Sequence, residues 1–185
     1  DKSSVSLSSR DEGALIPNLD LIEKAYQARD LKALDALATP RYRKINKKRD
    51  YRSVLMLSCN HLKHLLKIDS LNTEAITLNL EDAVSKEDKP FALVLCAIFL
   101  AHHAECDKKL IVRVNALSSG GYEEIAYLNQ FMPDAIRVPK VRSKEEVESV
   151  CKLLNDGQKL KLINYLKKDI RFKKSSGLQK KAILS

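Results

Sequence analysis

No stretch of the chain approaches the roughly 18 uninterrupted apolar residues that a membrane span requires. The longest apolar run, residues 91–101 (FALVLCAIFLA), has the length of a buried helix instead. The first ten residues, DKSSVSLSSR, lack an apolar stretch of the kind that marks a secretory signal, so none is expected there. There is no CxxC pair, and Cys59, Cys96, Cys106 and Cys151 show no disulfide-framework spacing. Reduced thiols and a cytoplasmic location are therefore expected. No G-x-G-x-x-G follows the first strand-like run, which argues against a dinucleotide-binding sheet. Net positive charge is also scarce outside one segment. Of the net +9, residues 159–185 account for +8, with nine Lys or Arg against a single acid, Asp169. The other 158 residues carry only +1. That tail has Tyr165 and Phe172 as its only aromatics, so specific nucleic-acid recognition is not expected of it.

What is present is enough for a core. With 44% hydrophobic residues in 185, the chain has room for one ordinary domain. Residues 1–17 are polar and Ser-rich and read as a mobile N-terminus. Residues 18–50 read as an N-terminal helix and a basic linker. Asn18 is placed to cap a helix whose apolar positions Leu21, Ile22, Ala25, Ala28, Leu31, Leu34 and Leu37 keep helical spacing up to Pro40. The linker RYRKINKKRD follows.

From Tyr51 the pattern changes to strand–helix alternation. Strands are predicted at 53–57, 75–80, 110–115 and 135–138, with 160–163 as the start of a fifth. Helices are predicted at 61–68, from Lys89-Pro90 to about 104, at 123–131, and from Ser143 to near Gly157. Pro90 suits a first helical turn, and Ser143-x-x-Glu146 has the form of a capping box. Connections of this length demand parallel neighbours and right-handed crossovers, in either an open doubly wound sheet or a (β/α)8 barrel.

The run AITLNLEDAV (75–84) carries the strongest chemical signal. Its short apolar segment reads as a strand buried on both faces, and it delivers Glu81 and Asp82 to the C-terminal strand end, where α/β proteins keep their chemistry. Arg113 lies in mid-strand between Val112 and Val114, where a guanidinium needs an anion. By alternation Ile111, Arg113 and Asn115 share one face. The bland alternatives stand beside these readings. Glu81 and Asp82 could merely offset a helix dipole, and Arg113 could form a structural ion pair with either acid. Lys140, after a proline at a strand end, suits an anion or open solvent equally. His102, His103 and Cys106 imitate metal-ligand spacing but read as a helix-end surface cluster, as do His61 and His64.

Four motifs in order, Arg52-Ser53-Val54-Leu55, LNLEDAV with Lys89 after it, Arg113-Val114-Asn115 and Val138-Pro139-Lys140-Val141, resemble the citrate lyase β-subunit-like enzymes of the HpcH/HpaI aldolase superfamily. The resemblance covers residues 51–162. It implies a TIM barrel and Mg²⁺-dependent carbon–carbon cleavage of a 2-hydroxyacyl thioester, of citryl or malyl type, to an acetyl thioester and a 2-oxo acid. The partner would be a small 2-oxo or 2-hydroxy acid, carried as a coenzyme A or acyl-carrier thioester. In these terms Glu81 and Asp82 are the catalytic acids, and Arg113, Arg52, Lys140 and Asn115 bind the substrate.

The chain departs from that family at three places. Asn79 stands where an acid is usual, and Ser58-Cys59-Asn60 replaces a Pro-Gly turn. The Glu and Asp expected as metal ligands after strands five and six have no counterpart in residues 163–185, which contain no Glu. A barrel takes about 250 residues, and about 135 remain from Tyr51. The expectation is an N-terminal half barrel of about four parallel strands (residues 51–158), followed by a basic tail (159–185) that is not native barrel and has the look of truncated or out-of-frame sequence. Such a half barrel would expose its first and last strands as edges and form homo-oligomers; alternatively it would serve as a non-catalytic acid-binding or subunit-interaction protein.

Overall fold

The computed structural model describes residues 16–42, 44, 46, 51–103, 105–154 and 182–184. Four short, largely apolar runs form the strands β1 (Val54–Ser58), β2 (Ala75–Asn79), β3 (Lys109–Arg113) and β4 (Ala135–Val138). They lie in one sheet in chain order, each parallel to the next. The boundaries fall within two residues of the sequence reading. β3 stops at Arg113 instead of Asn115 because Asn115 turns its polar groups to other partners, described below.

Because side chains alternate across a strand, the register fixes two different faces. Ile76, Leu78, Leu110, Val112, Ile136 and Val138 share one face and belong to the main apolar cluster. The other face carries Thr77, Asn79, Arg113 and Arg137, with only a small apolar group of Ala75, Ile111 and Ala135 under Tyr51. The apolar face is covered chiefly by α4 (Lys89–His102), which follows three shorter helices, α1 (Leu19–Gln27), α2 (Leu31–Ala36) and α3 (Leu62–Leu65). Its sequence is hydrophobic all round, and ten of its residues from Phe91 to Ala101 are buried, as expected of a helix with no solvent stripe. Helices α5 (Gly121–Leu128) and α6 (Lys144–Leu153) complete the alternation. This is the α/β arrangement of the first half of a (β/α)8 barrel.

Local sequence explains the helix ends. Ser143 caps α6 by accepting from the Glu146 amide at 3.3 Å, and Glu146 reaches back to the Arg142 amide at 2.6 Å. The helix ends at Leu153, earlier than predicted, since Leu154 is extended. The helix predicted over 123–131 is α5 followed by a 3₁₀ turn, Asn129–Phe131. The third helix, α3 (Leu62–Leu65), is a single turn.

The N-terminal helix is two helices, α1 (Leu19–Gln27) and α2 (Leu31–Ala36). Asn18 makes no side-chain cap. The break falls where Asp30 finds a better use, accepting from the Ala33 amide at 3.0 Å as the cap of α2. Arg29 before it takes a left-handed φ of 54°. Its guanidinium lies 3.9 Å from the Phe91 ring centroid and 2.7 Å from Asp88, so both the turn and its strain are tied to α4. The apolar spacing runs on across the break because both helices pack into the same core.

Two further readings need correction. His103 is buried, not part of a surface cluster. Its Nδ1 contacts the Phe99 carbonyl at 2.8 Å, and its Nε2 lies 3.4 Å from Asp69. His61 and His64 are exposed, as read from the sequence. In the basic tail, β5 (Ala182–Leu184) pairs antiparallel with β4, so β4 is not an open edge. The predicted strand at 160–163 lies outside the described residues. β1 has β2 as its only neighbour among them, and Val54, Leu55 and Met56 are exposed. None of Cys59, Cys96, Cys106 and Cys151 is joined in a disulfide. Among the described residues no helix is long and apolar enough to cross a membrane.

Candidate functional site

Parallel strands bring every C-terminal end to one rim, and four of the sequence-derived residues meet there. Arg113, the last residue of β3, places Nη2 against a carboxylate oxygen of Glu81 and 3.3 Å from Asp82. Lys140 Nζ lies 3.3 Å from the other Glu81 oxygen. Lys140 itself adopts a left-handed φ of 55°, a conformation that costs a non-glycine residue about 1 kcal/mol. Glu81 is 5% exposed and Asp82 68%, so one acid is enclosed by cations and the other faces solvent. The ion pair considered for Arg113 is therefore present. Both contacts use Nη2 alone, and no hydrogen bond or ion pair among the described residues occupies Nε or Nη1.

Beneath the rim lies a brace that sequence reasoning missed. Lys89 Nζ donates to the carbonyls of Leu80 and Glu81 at 3.0 and 3.1 Å and to Asn115 Oδ1 at 2.6 Å. Asn115 passes the link on: Nδ2 donates to the Leu80 carbonyl at 3.0 Å and to Glu124, and its amide donates to Glu124 at 2.7 Å. Burial pushes the Glu124 carboxyl above its ordinary range, with the Asn115 contacts and the Lys89 charge pulling the other way. Asn79 Oδ1 accepts from the Glu81 amide at 3.2 Å, an Asx turn that sets the backbone carrying both acids. A hydrogen-bonding side chain is what this position needs; a negative charge is not.

Two assignments do not survive. Asn115 is 4% exposed, and its oxygen and both amide protons are used within the protein, so it supports the rim and does not face a substrate. Arg52 precedes β1 and pairs with Glu74, which precedes β2, at 3.3 Å. Both lie at the N-terminal edge of the parallel sheet, a strand length from Glu81. The sequence motif gives the residue but not the end of the strand to which it belongs. Arg137, by contrast, was not singled out, although it immediately precedes the fourth motif. It pairs in register with Arg113 and so shares its face. A cavity of about 310 Å³ lies elsewhere, lined by Tyr26, Asn60, His61 and His64 among others; neither Glu81 nor Arg113 borders it.

No group of three or more His, Cys, Asp or Glu side chains suited to a metal ion occurs among the described residues. Glu81 and Asp82 are already compensated by Arg113 and Lys140. A carboxylate pair so engaged does not fit the oxygen-rich shell that Mg²⁺ demands.

A parallel α/β sheet with acids and guanidinium at its C-terminal rim defines the class: a protein built like an α/β barrel enzyme. The chain belongs to the HpcH/HpaI aldolase/citrate lyase family, whose model matches residues 52–161. It is 33% identical over 108 residues to a (3S)-malyl-CoA thioesterase of Cereibacter sphaeroides, a match covering 57% of this chain and 38% of that protein. It is 33% identical over 100 residues to the mitochondrial citramalyl-CoA lyase of Homo sapiens, covering 52% of this chain and 29% of that one. The chain thus spans well under half the length of the curated relatives it matches.

Proposed function

We propose that the whole protein is a carbon–carbon lyase that cleaves a 2-hydroxyacyl thioester of citryl or malyl type into an acetyl thioester and a 2-oxo acid. The observation carrying this reading is the meeting of Arg113 with Glu81 and Asp82 at the strand ends. The unused edge of Arg113 suits a substrate carboxylate, since a planar fork binds carboxylates in a two-pronged manner. Asp82, held by Arg113 but open to solvent, is the base that takes the proton of the 2-hydroxyl group. The hydroxyl-bearing carbon, which becomes carbon 2 of the released acid, stands β to the thioester carbonyl; the O–H electron pair becomes the new carbonyl, the bond from that carbon to the carbon next to the thioester breaks, and its pair forms the enolate of the acetyl thioester. Protonation of that carbon completes the step. Arg113 and Lys140 offset the negative charge that develops. Mg²⁺, expected from the family resemblance, is proposed only for the whole protein; Glu81 and Asp82 are not assigned as its ligands. The relatives' names carry coenzyme A thioesters, and a thioester carrier of that kind is proposed here.

Isothermal titration with oxaloacetate tests the reading. Binding that Arg113→Gln abolishes supports it, and no binding by the unaltered chain overturns it. With citryl or malyl thioesters, a 2-oxo acid product supports the lyase, whereas the free 2-hydroxy acid would make the protein a thioesterase. The 185-residue chain, without a metal-ligand set among its described residues, is expected to turn over negligibly. The second reading, a non-catalytic acid-binding or interaction protein, draws on the exposed edge of β1; it requires acid binding that is indifferent to Mg²⁺.

A further inference from the structure

Arg113 and Arg137 stand directly opposite each other on neighbouring strands and on the same face of the sheet. Like charges so placed repel unless an anion joins them. Arg113 has two acids for company, both on Nη2. Arg137 is half-buried and makes no ion pair among the described residues, and its Nε is shut off from solvent without a hydrogen-bond partner. A charged donor left this way is costly, because it gives up water and receives nothing in return. Lys140, close by on the turn after β4, adds a third cation. The face therefore offers more cationic donors than Glu81 and Asp82 can use. Among the described residues two separate guanidinium edges remain unclaimed, one on Arg113 and the whole fork of Arg137.

We propose that Arg137 is a specificity-determining residue that binds a second carboxylate of the substrate, so that the site takes a two-carboxylate 2-oxo acid in preference to a one-carboxylate acid. This rests on the reading of the rim as a 2-oxo acid site and deepens it. A citryl thioester retains two free carboxylates and yields oxaloacetate. A malyl thioester retains one and yields glyoxylate. Arg137 favours the citryl type because only that substrate brings a partner for each guanidinium.

Titration of the 185-residue chain with oxaloacetate and with glyoxylate reads this directly. The unaltered chain is expected to bind oxaloacetate at least about tenfold more tightly, since a pocket with a buried polar group discriminates against a ligand that leaves it unpaired. Arg137→Gln should remove that preference, weakening oxaloacetate about tenfold while glyoxylate changes less than about twofold. Arg113→Gln should weaken both. Should Arg137→Gln lose its far-ultraviolet circular dichroism, Arg137→Lys carries the test: it keeps the charge without the fork, and a several-fold loss confined to oxaloacetate is expected. Equal binding of the two acids by the unaltered chain, or equal weakening of both by either Arg137 variant, overturns the role of Arg137 and leaves the acid site standing. Failure of both acids to bind overturns the acid site and this proposal together.

Discussion

A methyl group on Gly121 would collide with the carbonyl oxygen of Asn115 and come within 3.0 Å of that of Ala116. Glycine is needed there for close approach of the backbone, whereas its neighbour Gly120, at φ 92°, supplies the left-handed turn before α5. Gly121→Ala should cost about 2–3 kcal/mol, as overpacking against backbone does, read as a lower urea midpoint. Because Asn115 carries the links among Leu80, Lys89 and Glu124, the same substitution should also weaken oxaloacetate binding. At this scale the sequence was informative where a side chain conflicted with its local pattern. Arg113 stood out as a charge between valines, and the acid pair ended an apolar run. Lys89, Glu124 and Arg137 break no such pattern. Their roles arise from contacts 8 to 26 residues away or from the register between strands, which a linear reading does not contain.

The N-terminal helices act as a clasp on the loop that carries Glu81 and Asp82. Arg29 lies over Phe91, pairs with Asp88 and donates to the Glu87 carbonyl at 3.1 Å, while Tyr26 donates to the Asn60 carbonyl at 2.7 Å. The Arg29 hydrogen bond, followed by that from Asn60, holds the Asp88 carboxyl below its ordinary range. A carboxyl depressed by folding contributes stability that is present above its unfolded value of 3.8 and disappears as pH falls through the lower folded value. The stability difference between the unaltered chain and Asp88→Asn should therefore be constant near neutrality and shrink in acid below about pH 4. Urea unfolding at pH 6 and pH 3 measures it; an undiminished difference at pH 3 would remove the clasp. Apolar spacing predicted one helix here, since spacing records which face is buried and is silent on where the chain turns. The strands were legible because apolar runs of four to six residues, too short for a helix, have few other uses. The tail strand β5 was missed because three apolar residues after a lysine run carry no periodic signal.

At the scale of the molecule, the sheet is unequal at its two sides. β4 is covered by β5, whereas β1 has no second strand neighbour among the described residues and carries Val54, Leu55 and Met56 at 40–46% exposure. Edges of this kind invite pairing with another copy. The chain is expected to self-associate with rising concentration, and Leu55→Lys with Met56→Lys to shift it towards the monomer in sedimentation velocity; a concentration-independent monomer would contradict this.

Lys89 has a consequence of a different kind. Its Nζ is already engaged by three acceptors drawn from two strand ends at once, so an electrophile reaches the nitrogen only when the strands part. An amine-reactive label should therefore spare Lys89 while modifying exposed lysines such as Lys144, and the moment of its modification becomes a clock for the opening of the barrel mouth.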